Sequence, residues 1–182
     1  MQGNQEYVIL VDADDNPIGK KEKFECHMGE GSLHRAFSVF IFNSRNEVLL
    51  QQRSQNKPLW PGFWSNTCCS HPRENETYVE AAHRRLKEEM GMQVDVEFLY
   101  KFQYRAKYKN IGTENEVCAV LFGHTQGEPL ANPDEVNNTK WVKWNELLKD
   151  VTNGADQIYT PWFLMEIQHL NEKYINNIFP KQ

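Results

Sequence analysis

The sequence contains 182 residues, of which 40% are hydrophobic and 25% are charged, and its formal net charge at pH 7 is -5. This length and mixed composition are typical of one globular domain with a complete core, and not of a disordered segment. The negative charge argues against a nucleic-acid partner, so any basic residues that bind an anionic ligand must be clustered locally.

The chain shows no sign of a secretory or membrane segment. Residues 1–6 lack the basic start and apolar core of a signal peptide, and no apolar run approaches the roughly 18 residues that a membrane helix needs. Cys26, Cys68, Cys69 and Cys118 form no spaced disulfide framework, which is typical of a reducing compartment. We therefore expect a soluble, cytoplasmic protein with no membrane partner.

Hydrophobic periodicity predicts a mixture of strands and helices along the chain. Strands are predicted over residues 7–11, 36–42, 48–52, 93–108, 113–122 and 140–144, and helices over residues 77–90, 145–149 and from Pro161 onwards. After the first strand, Asp12, Asp14 and Asn16 resemble a calcium loop, but the glycine and the terminal glutamate of such a loop are missing. A plain hairpin is therefore predicted there.

Two stripes of apolar residues predict which side chains are buried late in the chain. Aromatic residues recur with period two at Phe98, Tyr100, Phe102 and Tyr104, so they should share one side of a strand, mostly in the core. The C-terminal helix begins with proline in its first turn, and its predicted buried stripe consists of Phe163, Ile167 and Leu170.

The helix over residues 77–90 has clear ends. Thr77 and Glu80 form a capping-box pair at its start, and Gly91 supplies a left-handed stop. Its predicted buried stripe consists of Val79, Ala82, Leu86 and Met90. Two acids in its last turn, Glu88 and Glu89, are unfavourable by up to about 1 kcal/mol, because a helix C-terminus carries partial negative charge. Either ion pairs with the arginines four residues earlier or a divalent cation would compensate, and the spacing leaves both open.

Histidines and acids elsewhere form a second candidate cation site. His27 and His34 flank a glycine-containing loop that can bring both imidazoles to one point, and His71 adds a third. A lone histidine is more often an ordinary surface or core residue. Glu114 and Glu116, however, share one face of a strand, where their carboxylates repel each other unless a cation or solvent relieves them. Three imidazoles and two carboxylates suit manganese, zinc or iron better than calcium.

The segment over residues 70–92 resembles the signature of the Nudix superfamily. That signature has a glycine, a glutamate six residues later, and an Arg-Glu-apolar-x-Glu-Glu-x-Gly-apolar block. The corresponding residues here are Ser70, Glu76 and Arg84-Arg85-Leu86-Lys87-Glu88-Glu89-Met90-Gly91-Met92. Two positions depart from it: Ser70 replaces the first glycine, and Arg85 replaces a glutamate that helps Nudix hydrolases hold the metal for diphosphate cleavage.

Other segments resemble one branch more closely, the type 1 isopentenyl-diphosphate delta-isomerase family. They are Trp60-Pro61-Gly62, Thr67-Cys68-Cys69-Ser70-His71-Pro72, Tyr104-Arg105-Ala106, Glu114-Asn115-Glu116-Val117-Cys118 and Pro161-Trp162. The resemblance implies an α/β (α+β) fold, with a Nudix-like mixed curved sheet flanked by helices, in a single domain over residues 1–182. Its core is expected over about residues 32–165, and an N-terminal extension over about residues 1–31 should contribute a metal-ligating histidine.

The resemblance also implies an activity, the isomerisation of isopentenyl diphosphate to dimethylallyl diphosphate through a tertiary carbocation, which supplies isoprenoid precursors. Cys69 and Glu116 correspond to the pair that exchanges protons with the substrate, and Tyr104 is expected beside Glu116. The positions implied for substrate binding are Lys23, Arg53, Lys57 and Trp162, with Arg73 and Arg84 as weaker candidates for the diphosphate. Trp162 is expected to face the carbocation.

The ligand set implied for the resident metal is His27, His34, His71, Glu114 and Glu116. Glu89 is implied as the residue that helps seat magnesium carried in with the diphosphate. The arginine at position 85 fits an enzyme that leaves the diphosphate intact. The expected partner is this small-molecule substrate, and the expected oligomeric state is a monomer.

Three other functions remain open from the residues. A true Nudix hydrolase would cleave a nucleoside diphosphate derivative, although Arg85 counts against it. A thiol hydrolase would use Cys69 with His71, which lie only two residues apart. A metal-stabilised binding module would need no reactive thiol, so Cys69→Ala would retain its function.

Overall fold

The structure, a computed structural model, describes residues 6–179. Within these residues, nine strands form one mixed sheet. The strands are β1 Tyr7–Val11, β2 Pro17–Glu22, β3 His34–Phe42, β4 Glu47–Arg53, β5 Trp64–Ser65, β6 Cys68–Ser70, β7 Val96–Tyr108, β8 Gly112–His124 and β9 Val136–Lys143. The helices are α1 Lys23–His27, α2 Tyr78–Met90, α3 Trp144–Thr152, α4 Pro161–His169 and α5 Ile175–Ile178, with a 3-10 turn at Ala155–Ile158 and a π-helical segment at Leu170–Tyr174.

β3 is the central strand of the sheet. It runs parallel to β8, which in turn pairs with β7, and antiparallel to β6 on its other side. The N-terminal hairpin of β1 and β2 joins the sheet where Leu10 pairs with His34. The far end of β3 pairs with β4, where Phe42 lies opposite Val48. Every strand that carries a candidate site residue is therefore bonded directly to β3 or to its neighbour β8.

Side chains alternate across the sheet and build a core on each of its faces. Phe37, Val39 and Ile41 of β3 pack in a cluster with the buried side of α2. Phe40 and Phe42 lie on the other face, in a cluster that includes residues of α4. The predicted mixed sheet with helices on both sides is confirmed.

The ends of α2 form as the sequence predicts. The Thr77 hydroxyl accepts a hydrogen bond from the Glu80 amide at 3.2 Å, and the Glu80 carboxylate accepts one from the Thr77 amide at 2.8 Å. Gly91 ends the helix with a φ of 63°, a conformation that costs glycine little. The predicted hairpin after β1 is also confirmed, because Asp12 Oδ1 accepts from the amides of Asp14 and Asn16, each at 2.9 Å.

The sheet differs from the prediction in β7, which begins at Val96. A bulge at Leu99 makes Phe98 and Tyr100 pair with the consecutive residues Leu121 and Val120. Phe98 is thereby turned to the opposite face and is 50% exposed, so its predicted place in the aromatic core stripe is wrong. No helix among residues 6–179 is long and apolar enough to cross a membrane.

Candidate active site

Three histidines and two glutamates from separate parts of the chain converge beside the α4 face of the sheet. His27 ends α1, His34 begins β3, His71 follows β6, and Glu114 and Glu116 lie on β8. Each offers one ligand atom, and all of these atoms lie within 4.8 Å of one another. The structure thus brings together the ligand set implied by the sequence resemblance.

Strand register and two close backbone contacts hold this cluster together. The parallel pairing of β3 with β8 places His34 directly opposite Glu116. A Cβ atom at Gly112 would lie 2.7 Å from the carbonyl oxygen of His27, so only glycine lets α1 approach the start of β8 this closely. The loop between α1 and β3 is also bound to β8, because the Thr113 hydroxyl donates to the Gly29 carbonyl oxygen at 2.6 Å.

The imidazoles direct their Nε2 atoms toward each other. Nδ1 of His27 lies 2.5 Å from the Lys23 carbonyl oxygen, and Nδ1 of His34 lies 2.8 Å from that of Ser32. A carbonyl oxygen only accepts, so each Nδ1 carries a proton and each Nε2 is left to face the cluster. The Nε2 atoms of His34 and His71 are only 3.1 Å apart. Three imidazole nitrogens and two carboxylates that converge in this way form a donor set that fits a divalent metal ion.

Close packing of the histidines and acids shifts their pKa values in opposite directions. Burial lowers the pKa of His34, but hydrogen bonds to Cys26 and Glu116 outweigh it and raise the pKa well above the usual value. A proton there neutralises charge that a metal ion would otherwise balance. Burial and the neighbouring His34 lower the pKa of His71 well below its usual value. Burial raises the pKa of Glu116, but His34 and Tyr104 stabilise its charged form and give a net lowering.

A cavity of about 430 Å³ opens beside this cluster. Cys69, Tyr104, Glu116 and Trp162 all line it. The Tyr104 hydroxyl donates to Glu116 Oε2 at 2.6 Å, and burial raises the pKa of Tyr104 well above its usual value, so the hydroxyl stays a donor. The indole of Trp162 is 3% exposed and packs edge-on against the Trp60 ring, with 5.2 Å between centroids. The thiol, the acid and the aromatic face expected from the resemblance therefore share one space.

The two adjacent cysteines have different environments because they lie on the short strand β6. Cys68 is fully buried in the core beneath α2, whereas Cys69 lines the cavity. Burial raises the pKa of Cys69 to about 12, and the nearby Arg53 opposes that rise. Cys69 is therefore a neutral thiol at pH 7, with its sulfur 3.9 Å from Arg53 Nη1.

The basic residues expected to bind substrate lie around the same cavity. Lys23, Arg53 and Lys57 all line it. Arg53 donates to the carbonyl oxygens of Leu59 and Trp60 at 2.8 and 3.2 Å, which fixes its guanidinium over the Trp162 ring. Lys23 pairs with Glu6 at 2.8 Å, and Lys57 pairs with Glu135. Each positive charge is thus held in place by an acid or by the backbone.

The weaker diphosphate candidates, Arg73 and Arg84, are paired with acids outside the described lining of the cavity. Arg84 binds Glu76 through two hydrogen bonds of 2.6 and 2.8 Å, and Arg73 lies 4.0 Å from Glu88.

Glu89 lies outside the histidine cluster and accepts hydrogen bonds from Arg85 and Gln51. Ion pairs do compensate the acids at the end of α2, because Arg84 contacts Glu88 and Arg85 contacts both acids.

Arg85 also lines the cavity, a contribution that sequence reasoning missed because the position stood out only as a lost glutamate. Ser38 and Glu6 line the cavity too, and neither belongs to a motif that marks it.

Comparison with known proteins agrees with these observations. Residues 32–163 match the NUDIX domain model. The chain is 43% identical over 175 residues to isopentenyl-diphosphate delta-isomerase 1 of Photorhabdus laumondii, which covers 95% of this chain and 99% of that protein. It is 46% identical over 158 residues to isopentenyl-diphosphate delta-isomerase 1 of Aromatoleum aromaticum, with 87% of this chain and 88% of that protein covered.

Solved structures show the same fold at low sequence identity. A Deinococcus radiodurans protein matches with a TM-score of 0.73 at 19% identity, covering 90% of this chain and 98% of that one. The NUDIX domain of Shewanella oneidensis NrtR, complexed with ADP ribose, matches with a TM-score of 0.58 at 19% identity, covering 78% and 86%. These structures show only that the fold is shared, whereas the sequence relatives show the family to which the chain belongs. The chain therefore belongs to the NUDIX superfamily and, within it, to the isopentenyl-diphosphate delta-isomerase family.

Proposed function

We propose that this protein is an isomerase that interconverts isopentenyl diphosphate and dimethylallyl diphosphate. One observation carries the proposal: the Cys69 thiol and the Glu116–Tyr104 pair open onto one cavity that Trp162 also lines. The relatives that share 43% and 46% identity bear the name of this activity. A cavity of about 430 Å³ has room for a five-carbon chain and part of its diphosphate.

The reaction needs one proton donor and one proton acceptor at different carbons. Protonation of the terminal alkene carbon gives a tertiary carbocation, and loss of a proton from the carbon on its other side places the double bond in its new position. Cys69 and Glu116 perform these two transfers and exchange roles when the reaction runs backwards. Tyr104 holds Glu116 in orientation through its 2.6 Å hydrogen bond. The Trp162 face stabilises the cation and excludes water, an interaction of about 2 kcal/mol when desolvated.

We infer that the resident metal is held by His27, His34, His71, Glu114 and Glu116 and is manganese, zinc or iron. When bound, this ion supplies positive charge that fixes the ionised state and the orientation of Glu116. Full metal retention by both His27→Ala and His71→Ala, measured by elemental analysis of folded protein, would overturn this ligand set.

The diphosphate is assigned to the basic side of the cavity. Lys23, Arg53 and Lys57 supply positive charge there, and Glu89 helps to seat magnesium that arrives with the diphosphate. The alternative hydrolase function is disfavoured, because Arg85 stands where the signature has a metal-holding glutamate and places a positive charge there. The thiol hydrolase is disfavoured as well, because Nε2 of His71 lies against His34 and Glu116.

We further propose one domain over residues 1–182, with a core over about residues 32–165 and an N-terminal extension over about residues 1–31 that supplies His27. Residues 1–5 and 180–182 of that domain lie outside the described residues. The protein is proposed to act as a cytoplasmic monomer with a small-molecule substrate and no nucleic-acid or membrane partner.

The decisive test is turnover in deuterated water. Purified protein is incubated with isopentenyl diphosphate and magnesium, and the dimethylallyl product is examined for deuterium by NMR. Wild-type protein should incorporate deuterium, and Cys69→Ala should lose nearly all activity while staying folded. Robust phosphate release from a panel of nucleotide diphosphates, without isomerisation, would instead favour the hydrolase.

A further inference from the structure

A buried hydrogen bond joins the segment that carries the thiol to the helix that carries the indole. Cys69 lies on β6, and Trp162 lies in the first turn of α4. The hydroxyl oxygens of Ser65, at the end of β5, and Thr160, directly before α4, are 2.8 Å apart. Both residues are fully buried, and neither is among the described residues that line the cavity. The proposed proton transfers therefore give this contact no role.

Asn66 extends this contact to the backbone of two strands. Its Nδ2 atom donates to the carbonyl oxygen of Cys68 on β6 at 2.7 Å and to that of Val39 on β3 at 3.3 Å. Its Oδ1 atom accepts from the Ser65 hydroxyl at 2.8 Å. Carbonyl oxygens only accept, so the two backbone contacts fix which way the amide group faces. Because Cys68 directly precedes Cys69, Asn66 holds the backbone from which the reactive thiol projects.

The direction of these hydrogen bonds follows from counting protons. The Asn66 Oδ1 atom has no proton, so Ser65 donates its only hydroxyl proton to it. Ser65 can then only accept from Thr160, and Thr160 is the donor of that pair. Thr160, Ser65 and Asn66 thus form a buried polar chain that runs from α4 to β6. Buried networks whose members are satisfied in this way favour one rigid arrangement.

Thr160 occupies a position where its hydroxyl would ordinarily stabilise its own helix. It is the N-cap residue of α4, and an N-cap threonine usually accepts a hydrogen bond from an amide of the first turn. Among residues 6–179, the Thr160 side chain makes no such capping bond. Its hydroxyl contacts Ser65 instead, and its amide donates to the Trp64 carbonyl oxygen at 3.0 Å. The helix thereby lacks a cap and gains a fixed position relative to β5.

We propose that the buried polar chain positions the Trp162 indole relative to the Cys69 thiol, and that its three members are positioning residues. The inference rests on the proposed isomerisation. In that reaction one carbon exchanges a proton while the indole face stabilises the charge that develops at its neighbour. The thiol and the indole must therefore keep fixed places around one five-carbon chain. A displacement of about 1 Å in such a site lowers a rate by about 100-fold.

Steady-state rates with isopentenyl diphosphate and magnesium test this assignment. Thr160→Val keeps the shape of the side chain but cannot donate to Ser65, and Ser65→Ala removes the same bond from the other side. Each should lower kcat by about tenfold or more, with KM changed by less than about twofold, because the polar chain does not include the residues assigned to the diphosphate. Thr160→Ser keeps the hydroxyl and should stay within about threefold of wild type. Values of kcat within about threefold of wild type for both Thr160→Val and Ser65→Ala would overturn the inference.

Asn43→Ala is the matched control for the loss of buried hydrogen bonds. Asn43 is 5% exposed, and its Oδ1 atom accepts from the amides of Arg45 and Glu47 at 2.9 and 3.1 Å in the turn after β3. Asn43→Ala should lower stability in urea denaturation, as the polar-chain variants do, but should keep the wild-type kcat. A fall in kcat as large as that of Thr160→Val would show that lost stability alone slows the enzyme, and the proposal would fail.

A double variant separates placement of the indole from other effects. Once Trp162→Leu has removed the indole, its placement no longer matters, so adding Thr160→Val should lower kcat by less than about threefold. The same tenfold loss in both backgrounds would overturn the proposal. If Thr160→Val does not fold, Ser65→Ala takes its place in the comparison. Normal turnover by the folded polar-chain variants overturns this inference alone, whereas wild-type protein without isomerase activity overturns the proposed function with it.

Discussion

Arg85 is a buried arginine that contacts three acids, and its removal gives a sharp test of how this part of the molecule is held together. Its guanidinium contacts Glu88 at 2.9 Å, Glu89 at 3.0 Å and Glu135 at 3.3 Å. Arg85 is 8% exposed and Glu89 only 2%. Removing one partner of a buried ion pair leaves an uncompensated charge and costs about 3–5 kcal/mol. We expect Arg85→Met to lower the free energy of unfolding by that amount.

The double variant Arg85→Met/Glu89→Leu removes both buried charges and should recover most of the loss, to within about 2 kcal/mol of wild type. Glu88 and Glu135 also lose a partner, but their side chains are 39% and 28% exposed, so water replaces much of the interaction. Arg45→Met is the matched control, because the Arg45 side chain is 65% exposed in its pair with Glu47, and it should cost less than about 1 kcal/mol.

Urea denaturation of wild type, both single variants and the double variant gives the coupling energy directly. A cost below about 1 kcal/mol for Arg85→Met would refute the reasoning. So would a double variant that is destabilised by the sum of the single effects.

Three further outcomes follow from the described contacts. The pKa of Glu166 in the folded state is raised from 4.5 to about 8, so the free energy of unfolding is highest below pH 4.5 and falls by about 5 kcal/mol as the pH rises to about 8. Glu166→Gln should remove this pH dependence, as measured by urea denaturation. Thr77→Ala should lower the unfolding free energy by about 1 kcal/mol, because the Glu80 amide loses its cap, and an unchanged urea midpoint would contradict this. Cys68→Ala should keep isomerase activity in the rate assay, since Cys68 faces α2 and not the cavity.

The parts of the fold that depend on local chemistry could be predicted from the sequence. The α2 boundaries followed from Thr77, Glu80 and Gly91, because each satisfies backbone groups within one turn. The contact between His27 and Glu114 instead depends on strand register and on the close approach of α1 at Gly112. Neither can be predicted from hydrophobic periodicity or from the spacing of residues in the sequence. The family resemblance supplied that part of the site.

Two kinds of feature escaped prediction for identifiable physical reasons. A bulge adds one residue to a strand and reverses the alternation before it, so Phe98 left the aromatic stripe without any change of hydrophobic pattern. Ser38 and Glu166 are polar residues inside apolar periodicity, and only tertiary packing brings them together through Cys118. Such residues are recognised by burial, which is a property of the folded chain.

The cavity takes one wall from α1, which carries Lys23 and His27, and another from α4, which carries Trp162. The Cys69 thiol on β6 and the Glu116 carboxylate on β8 therefore have an indole beside them only while α4 stays packed against the sheet.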